Sequence, residues 1–93
     1  MVSQYAGKCS RMDFLLKQEQ IVIETKMTRG GLSAKEVGTQ LIEDIARYQN
    51  HPDCKALVCF VYDPESRISN PRGIENDLRR PDDRLKVEVL IRP

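Results

Sequence analysis

Asp13, Glu24 and Lys26 have the residue types and the spacing to do chemistry together. They lie in "DFLLKQEQIVIETK", where two β-rich runs flank a polar stretch around Gln18 and Glu19, the pattern of an antiparallel hairpin. With the turn centred between Gln18 and Glu19, Leu16 faces Ile21, Leu15 faces Val22, Phe14 faces Ile23, and Asp13 lands opposite Glu24. Side chains alternate along a strand, so Arg11, Asp13, Glu24 and Lys26 share one side. Directly opposed side chains stand about 5 Å apart. At an effective dielectric near 20, two carboxylates at that range repel by roughly 3 kcal/mol. That is a large share of a small domain's stability of about 5–15 kcal/mol. Something must compensate. Lys26 supplies an ammonium, and a divalent cation would supply more, because Mg²⁺ prefers carboxylate oxygens completed by water and phosphate. The same pattern also fits a solvated sheet end of surface ion pairs, and a one-residue change of register would undo the opposition.

No competing catalytic set is visible. His51, the sole histidine, precedes Pro52 at an expected helix end and reads as a cap or surface residue. Ser10 has no histidine in a suggestive position. Cys9, Cys54 and Cys59 are odd in number and fit no CxxC or zinc spacing, so they read as free thiols in a reducing compartment. Arg11, Arg29 and Lys35 join Lys26 around the hairpin's open end. Contacts from them to phosphates would give affinity and salt dependence without reading sequence; a charged rim that only solubilises fits equally well. Arg67, Arg72, Arg79 and Arg80 form a second such patch.

The elements that must position these residues follow from periodicity. After the hairpin, "TRGGL" supplies a turn, and "SAKEVGTQLIEDIARYQNHP" reads as a helix with Ser33 and Glu36 as a capping box and Pro52 as its stop. Val37, Leu41, Ile45 and Tyr48 make its core-facing stripe, with Gly38 on it for close approach to the sheet. "KALVCFVYD" is the near-continuous apolar run of a strand buried on both faces. "PESRISNPRG" reads as a loop, "IENDLRR" as a short helix, and "RLKVEVLIRP" as a closing strand. The order β-β-α-β-(α)-β implies a mixed α/β sheet with a parallel crossover. On the hairpin the side bearing Phe14, Leu16, Ile21 and Ile23 is almost wholly apolar and is expected to meet the helix. Ninety-three residues suffice for one modest core. No run reaches the roughly 18 apolar residues of a membrane span. "MVSQYAGKCS" lacks a signal-peptide core, so a cytoplasmic location is expected. The net charge of +1 leaves any case for nucleic acid to local clustering.

D-x₁₀-E-T-K across a hairpin followed by a helix resembles the PD-(D/E)xK nuclease superfamily, with its restriction-endonuclease-like fold. The wider string "SRMDFLLKQEQIVIETKMTR…EVGTQLIEDIARYQNHPDCKALVCFVYDP…NPRGIENDL" is similar to the nuclease domain of DpnII/MboI-type restriction enzymes, a domain also found at the C-terminus of larger prokaryotic defence proteins. The likeness runs from about Tyr5 to Pro93 and implies one nuclease-like domain over residues 1–93. It implies that Asp13 and Glu24 coordinate Mg²⁺, replaceable by Mn²⁺, with the backbone carbonyl of Thr25 as a further ligand. Lys26 would then position the attacking water and stabilise charge on the scissile phosphate, with Gln40 as a polar neighbour from the helix. Two departures stand out. The motif's proline is absent, and only "MVSQYAGKCS" precedes the first catalytic strand, where relatives usually carry a helix. A second copy of the chain could supply the missing packing, so a homodimer is expected.

The expectation is therefore a Mg²⁺-dependent endonuclease domain acting on DNA in restriction or defence, alone or with a recognition domain. The alternatives are a catalytically silent nuclease-like module that binds nucleic acid or a protein partner, and a purely structural dimerisation domain.

Overall fold

The structure, a computed structural model, describes the backbone of residues 2–6, 11–30, 34–81 and 83–93, and side chains for 14–30, 34–81 and 83–93. The expected capping residue Ser33, the glycine turn at Gly31, Cys9, and the side chains of Arg11, Met12 and Asp13 lie outside the described residues.

The elements run β1 (Val2–Ala6), β2 (Arg11–Leu16), β3 (Ile21–Met27), α1 (Ala34–Gln49), β4 (Ala56–Tyr62), α2 (Pro71–Leu78) and β5 (Lys86–Arg92). The strands lie side by side in chain order in one five-stranded sheet. β1–β2 and β2–β3 are antiparallel, while β3–β4 and β4–β5 are parallel. This is the mixed α/β architecture expected, with one addition. "VSQYA" forms an edge strand that the sequence reading passed over, since five mixed residues carry too little alternation to stand out.

The β2–β3 register is the one expected: Asp13 pairs with Glu24, Phe14 with Ile23, Leu15 with Val22 and Leu16 with Ile21. Residues 17–20 form the turn, and Gln20 takes a left-handed backbone with φ of 59°. That conformation costs a non-glycine residue roughly 1–2 kcal/mol. The Gln20 carbonyl accepts from the amides of Lys55 and Ala56, which starts the β3–β4 ladder.

The helix lies on the other side of the hairpin from the one expected. Val22, Glu24 and Lys26 are the buried residues of β3, while Ile21, Ile23 and Thr25 are half-buried. Handedness decides this. From β3 the sheet steps to β4 and then β5 in one direction, and right-handed crossovers put both helices on one face. The covered core is Val22, Val37, Leu41, Leu57, Cys59, Val61, Val87, Val89 and Ile91, with Ile74 and Leu78 of α2 packed against it. Among the described residues no helix covers the opposite face, so β4 is buried on one side only: Phe60 and Tyr62 are exposed, as are Met27 and Leu90.

The stripe on α1 holds, with Val37 and Leu41 buried and Ile45 and Tyr48 packed beside them. Gly38 is not a close-approach glycine, because an added Cβ there meets nothing within 4 Å. His51 is exposed as expected, and the Arg84 guanidinium caps the end of α1 by donating to the carbonyls of Tyr48, Gln49 and His51. α2 begins earlier than "IENDLRR". Asn70-Pro71, read as a breaker, is its start: Asn70 Oδ1 accepts from Gly73 N–H at 3.1 Å, and Pro71 takes the first turn, where its missing N–H costs nothing. Glu75 ties α2 to β5 by accepting from Ile91 N–H at 2.8 Å and Arg92 Nη1 at 2.9 Å.

Candidate active site

Strand alternation and the β2–β3 register bring the sequence-chosen residues to one place. Asp13 and Glu24 are Cα partners, and Arg11 and Lys26 are the next pair on the same face. Glu24 is fully buried and Lys26 is 3 % exposed, between the sheet and α1. The Lys26 ammonium sits 2.7 Å from Glu24 Oε1.

Asp44 completes this cluster. Its Oδ2 lies 2.8 Å from Lys26 Nζ and its Oδ1 3.1 Å from Arg47 Nη2. Asp44 is not among the residues the motif spacing singles out, yet the sequence carries a signal for it. Val37, Leu41, Asp44 and Tyr48 follow helical spacing, so an acid stands within the apolar stripe of α1. Gln40, one turn before Asp44, accepts from Lys26 Nζ at 3.4 Å, so the helix delivers two polar groups to the ammonium.

Taking two carboxylates out of water is costly. Burial first, and the hydrogen-bonded Asp44 carboxyl second, push Glu24 from 4.5 up to about 8, against the pull of Lys26. Near neutral pH the pair therefore holds a proton in this state.

The remaining candidates are placed less tightly. The Thr25 side chain is on the bare face, and β3 has a strand on each side, so a carbonyl of Thr25 serving as ligand shares its lone pairs with the ladder. Arg29 and Lys35 are exposed at the Lys26 end, and Lys35 joins Glu36, Thr39 and Gln40 around a shallow hollow. In the second basic patch, Arg67 pairs with Glu65 and Arg79 with Glu88, while Arg80 donates to the carbonyls of Asp77 and Arg79.

Among the described residues no group of three or more His, Cys, Asp or Glu could hold a metal ion. The donor chemistry nonetheless fits a hard cation. Glu24 and Asp44 bring buried carboxylates together, and the register sets Asp13 across from Glu24. Cys54 and Cys59 are buried, and burial raises the Cys54 thiol, which suits neither metal binding nor nucleophilic attack.

A mixed sheet whose central hairpin presents Asp…Glu-x-Lys beside a crossover helix has the architecture of a restriction-endonuclease-like nuclease. The chain belongs to the DpnII-MboI restriction endonuclease family: the model of that family, described as REase_DpnII-MboI, matches residues 1–93. No curated protein and no solved structure matches it. Membership supports a nuclease role in restriction or defence, with DNA as the substrate. No helix among the described residues is long and apolar enough to cross a membrane.

Proposed function

We propose that residues 1–93 form one Mg²⁺-dependent endonuclease domain that hydrolyses DNA phosphodiester bonds in the cytoplasm. One observation carries the reading: Glu24 and Lys26 are buried side by side on the strand whose register sets Asp13 opposite Glu24. Asp13 and Glu24, with the Thr25 carbonyl, would hold the metal. When bound, Mg²⁺ polarises the phosphate and lowers the pKa of water. Lys26 places positive charge where the phosphate gathers negative charge. Asp44 and Gln40 aim that ammonium, fixing its direction as no flexible surface lysine is fixed. Arg29 and Lys35 extend the positive rim along the DNA backbone.

The test is incubation with plasmid, linear and single-stranded DNA, each with Mg²⁺, Mn²⁺ or chelator, and a Lys26→Gln variant as control. Metal-dependent cutting that Lys26→Gln lacks is expected; equal cutting by the variant refutes the site. The silent-module reading draws on the pairing of Lys26 with both carboxylates in a buried cluster, and calorimetry showing no Mg²⁺ or Mn²⁺ binding would favour it.

A homodimer belongs to the same proposal. The bare sheet face carries Met27, Phe60, Tyr62 and Leu90, each more than a third exposed. Apolar patches of that kind commonly mark association surfaces. Light scattering at twice the 10.7 kDa chain mass is expected, and a monomer at every concentration rules the dimer out.

A further inference from the structure

Beside the candidate site, and unused by the chemistry above, a cleft of about 770 Å³ opens between the hairpin and the last turns of α1. Leu15 and Val22 line it from the sheet, Arg47 and Tyr48 from α1, and Lys17 and His51 from the turns that close it. The cleft adjoins the site. Val22 is two residues from Glu24 on the same face of β3, and the Arg47 guanidinium, half exposed, touches the Asp44 carboxylate that holds Lys26. Its chemistry is divided. Apolar side chains line it together with the Tyr48 and His51 rings, whose centroids are 6.4 Å apart at 43°. Lys17 and Arg47 bring positive charge, against one acid, Asp53, beside His51.

A nucleotide has the same division: a flat base with apolar faces and an anionic phosphate. The volume lies within the roughly 300–1,000 Å³ of small-ligand sites, and aromatic faces accept any base by stacking. We propose that this cleft is a subsite for a nucleotide of the substrate strand neighbouring the bond that is cut. The base packs against Tyr48, and the phosphate meets Arg47 and Lys17. This inference rests on the nuclease reading and adds to it where the strand runs: along the hairpin toward its turn, away from Arg29 and Lys35.

The test is anisotropy of labelled single-stranded and duplex oligonucleotides in chelator, across a range of salt. Wild type is compared with Lys17→Ala, Tyr48→Leu and Lys86→Ala, the last on the bare face, with circular dichroism confirming the fold. Lys17→Ala is expected to weaken binding several-fold and to reduce the slope of log affinity against log salt by about 1, as loss of one phosphate contact does. Tyr48→Leu is expected to lose about fivefold or more in affinity with the slope unchanged, since stacking carries no counterion release. Lys86→Ala binds as wild type. Wild-type affinity and slope in Lys17→Ala, alongside a wild-type protein that binds and cuts, overturns the cleft and leaves the nuclease reading standing. A wild-type protein that neither binds nor cuts any of these substrates overturns both.

Discussion

Two buried acid clusters sit near the same end of the sheet and are built in opposite ways. Asp63, just after β4, has both oxygens satisfied: Oδ1 accepts from Thr28 Oγ1 at 2.5 Å and Arg67 N–H at 2.9 Å, and Oδ2 accepts from Ile68 N–H at 3.0 Å. Burial works against its charge, but the Thr28 hydroxyl and the two amides overcome that and hold Asp63 below the usual carboxylate range. Glu24 is instead driven up, first by burial and then by the hydrogen-bonded Asp44 carboxyl, against the pull of Lys26. Asp63 staples the end of β3 to the loop after β4. The raised Glu24 carboxyl is the kind of perturbed group that clusters at sites that bind or react. One acid is held charged by its donors, and the other is pushed toward its neutral form by burial.

That contrast can be broken experimentally. The largest expected effect is on activity. Glu24→Gln should remove at least the roughly 100-fold that losing even an indirect partner of a metal ligand can cost, and it should keep the fold. Cleavage kinetics at saturating Mg²⁺ check this, and near-wild-type turnover would place Glu24 beside Asp63 as a structural acid. Asp63→Asn should do the reverse. It leaves at least one backbone N–H facing an amide nitrogen that is itself a donor, costs about 1–3 kcal/mol in urea unfolding, and leaves cleavage per folded molecule unchanged.

pH separates the two clusters by sign. Folded Glu24 keeps its proton up to about 8 while the unfolded chain releases it near 4.5, so stability from this group falls as pH rises through that window. For Asp63 the folded pKa is depressed below 3.8, so its contribution is present above that value and is lost as pH falls through the folded pKa. In chelator, Tm should therefore drop by roughly 5 °C or more between about pH 5 and pH 8, and Glu24→Gln should flatten the drop. A Tm that rises across that interval contradicts the pairing of Glu24 with Asp44. The smallest effect concerns the helix that carries Asp44. Gly38→Ala faces open space and should stabilise by about 0.5–1 kcal/mol, read by thermal unfolding. A loss would mean that α1 has less room than it shows.

The hairpin was legible from its apolar alternation and polar turn, and the register supposed for it, with Asp13 opposite Glu24, is the one observed. Gln40 was named through the family likeness, and it accepts from Lys26 Nζ at 3.4 Å. Asp44 was passed over because helix periodicity was read for apolar residues only, although 37, 41, 44 and 48 share a face. The Asn70-Pro71 pair was taken for a break because the same two residues that end a helix can also begin one. Asn capped by Gly73 N–H shows which, and that is a matter of three-dimensional contact.

Sequence alone pointed to the hairpin, α1, β4 and β5 and to the charged groups at the hairpin's open end, because these follow from side-chain periodicity over a few neighbouring residues, whereas β1 and the start of α2 escaped it. It could not determine which face of the hairpin the helix would cover. Read locally, the Phe14–Ile23 side was the more apolar and the better choice; the handedness of two successive crossovers overruled it. That choice puts Glu24 and Lys26 under α1 instead of in water, and so creates the buried cluster with Asp44. Burial and the arrival of a distant carboxylate depend on the whole chain's path, so only the tertiary structure decides them.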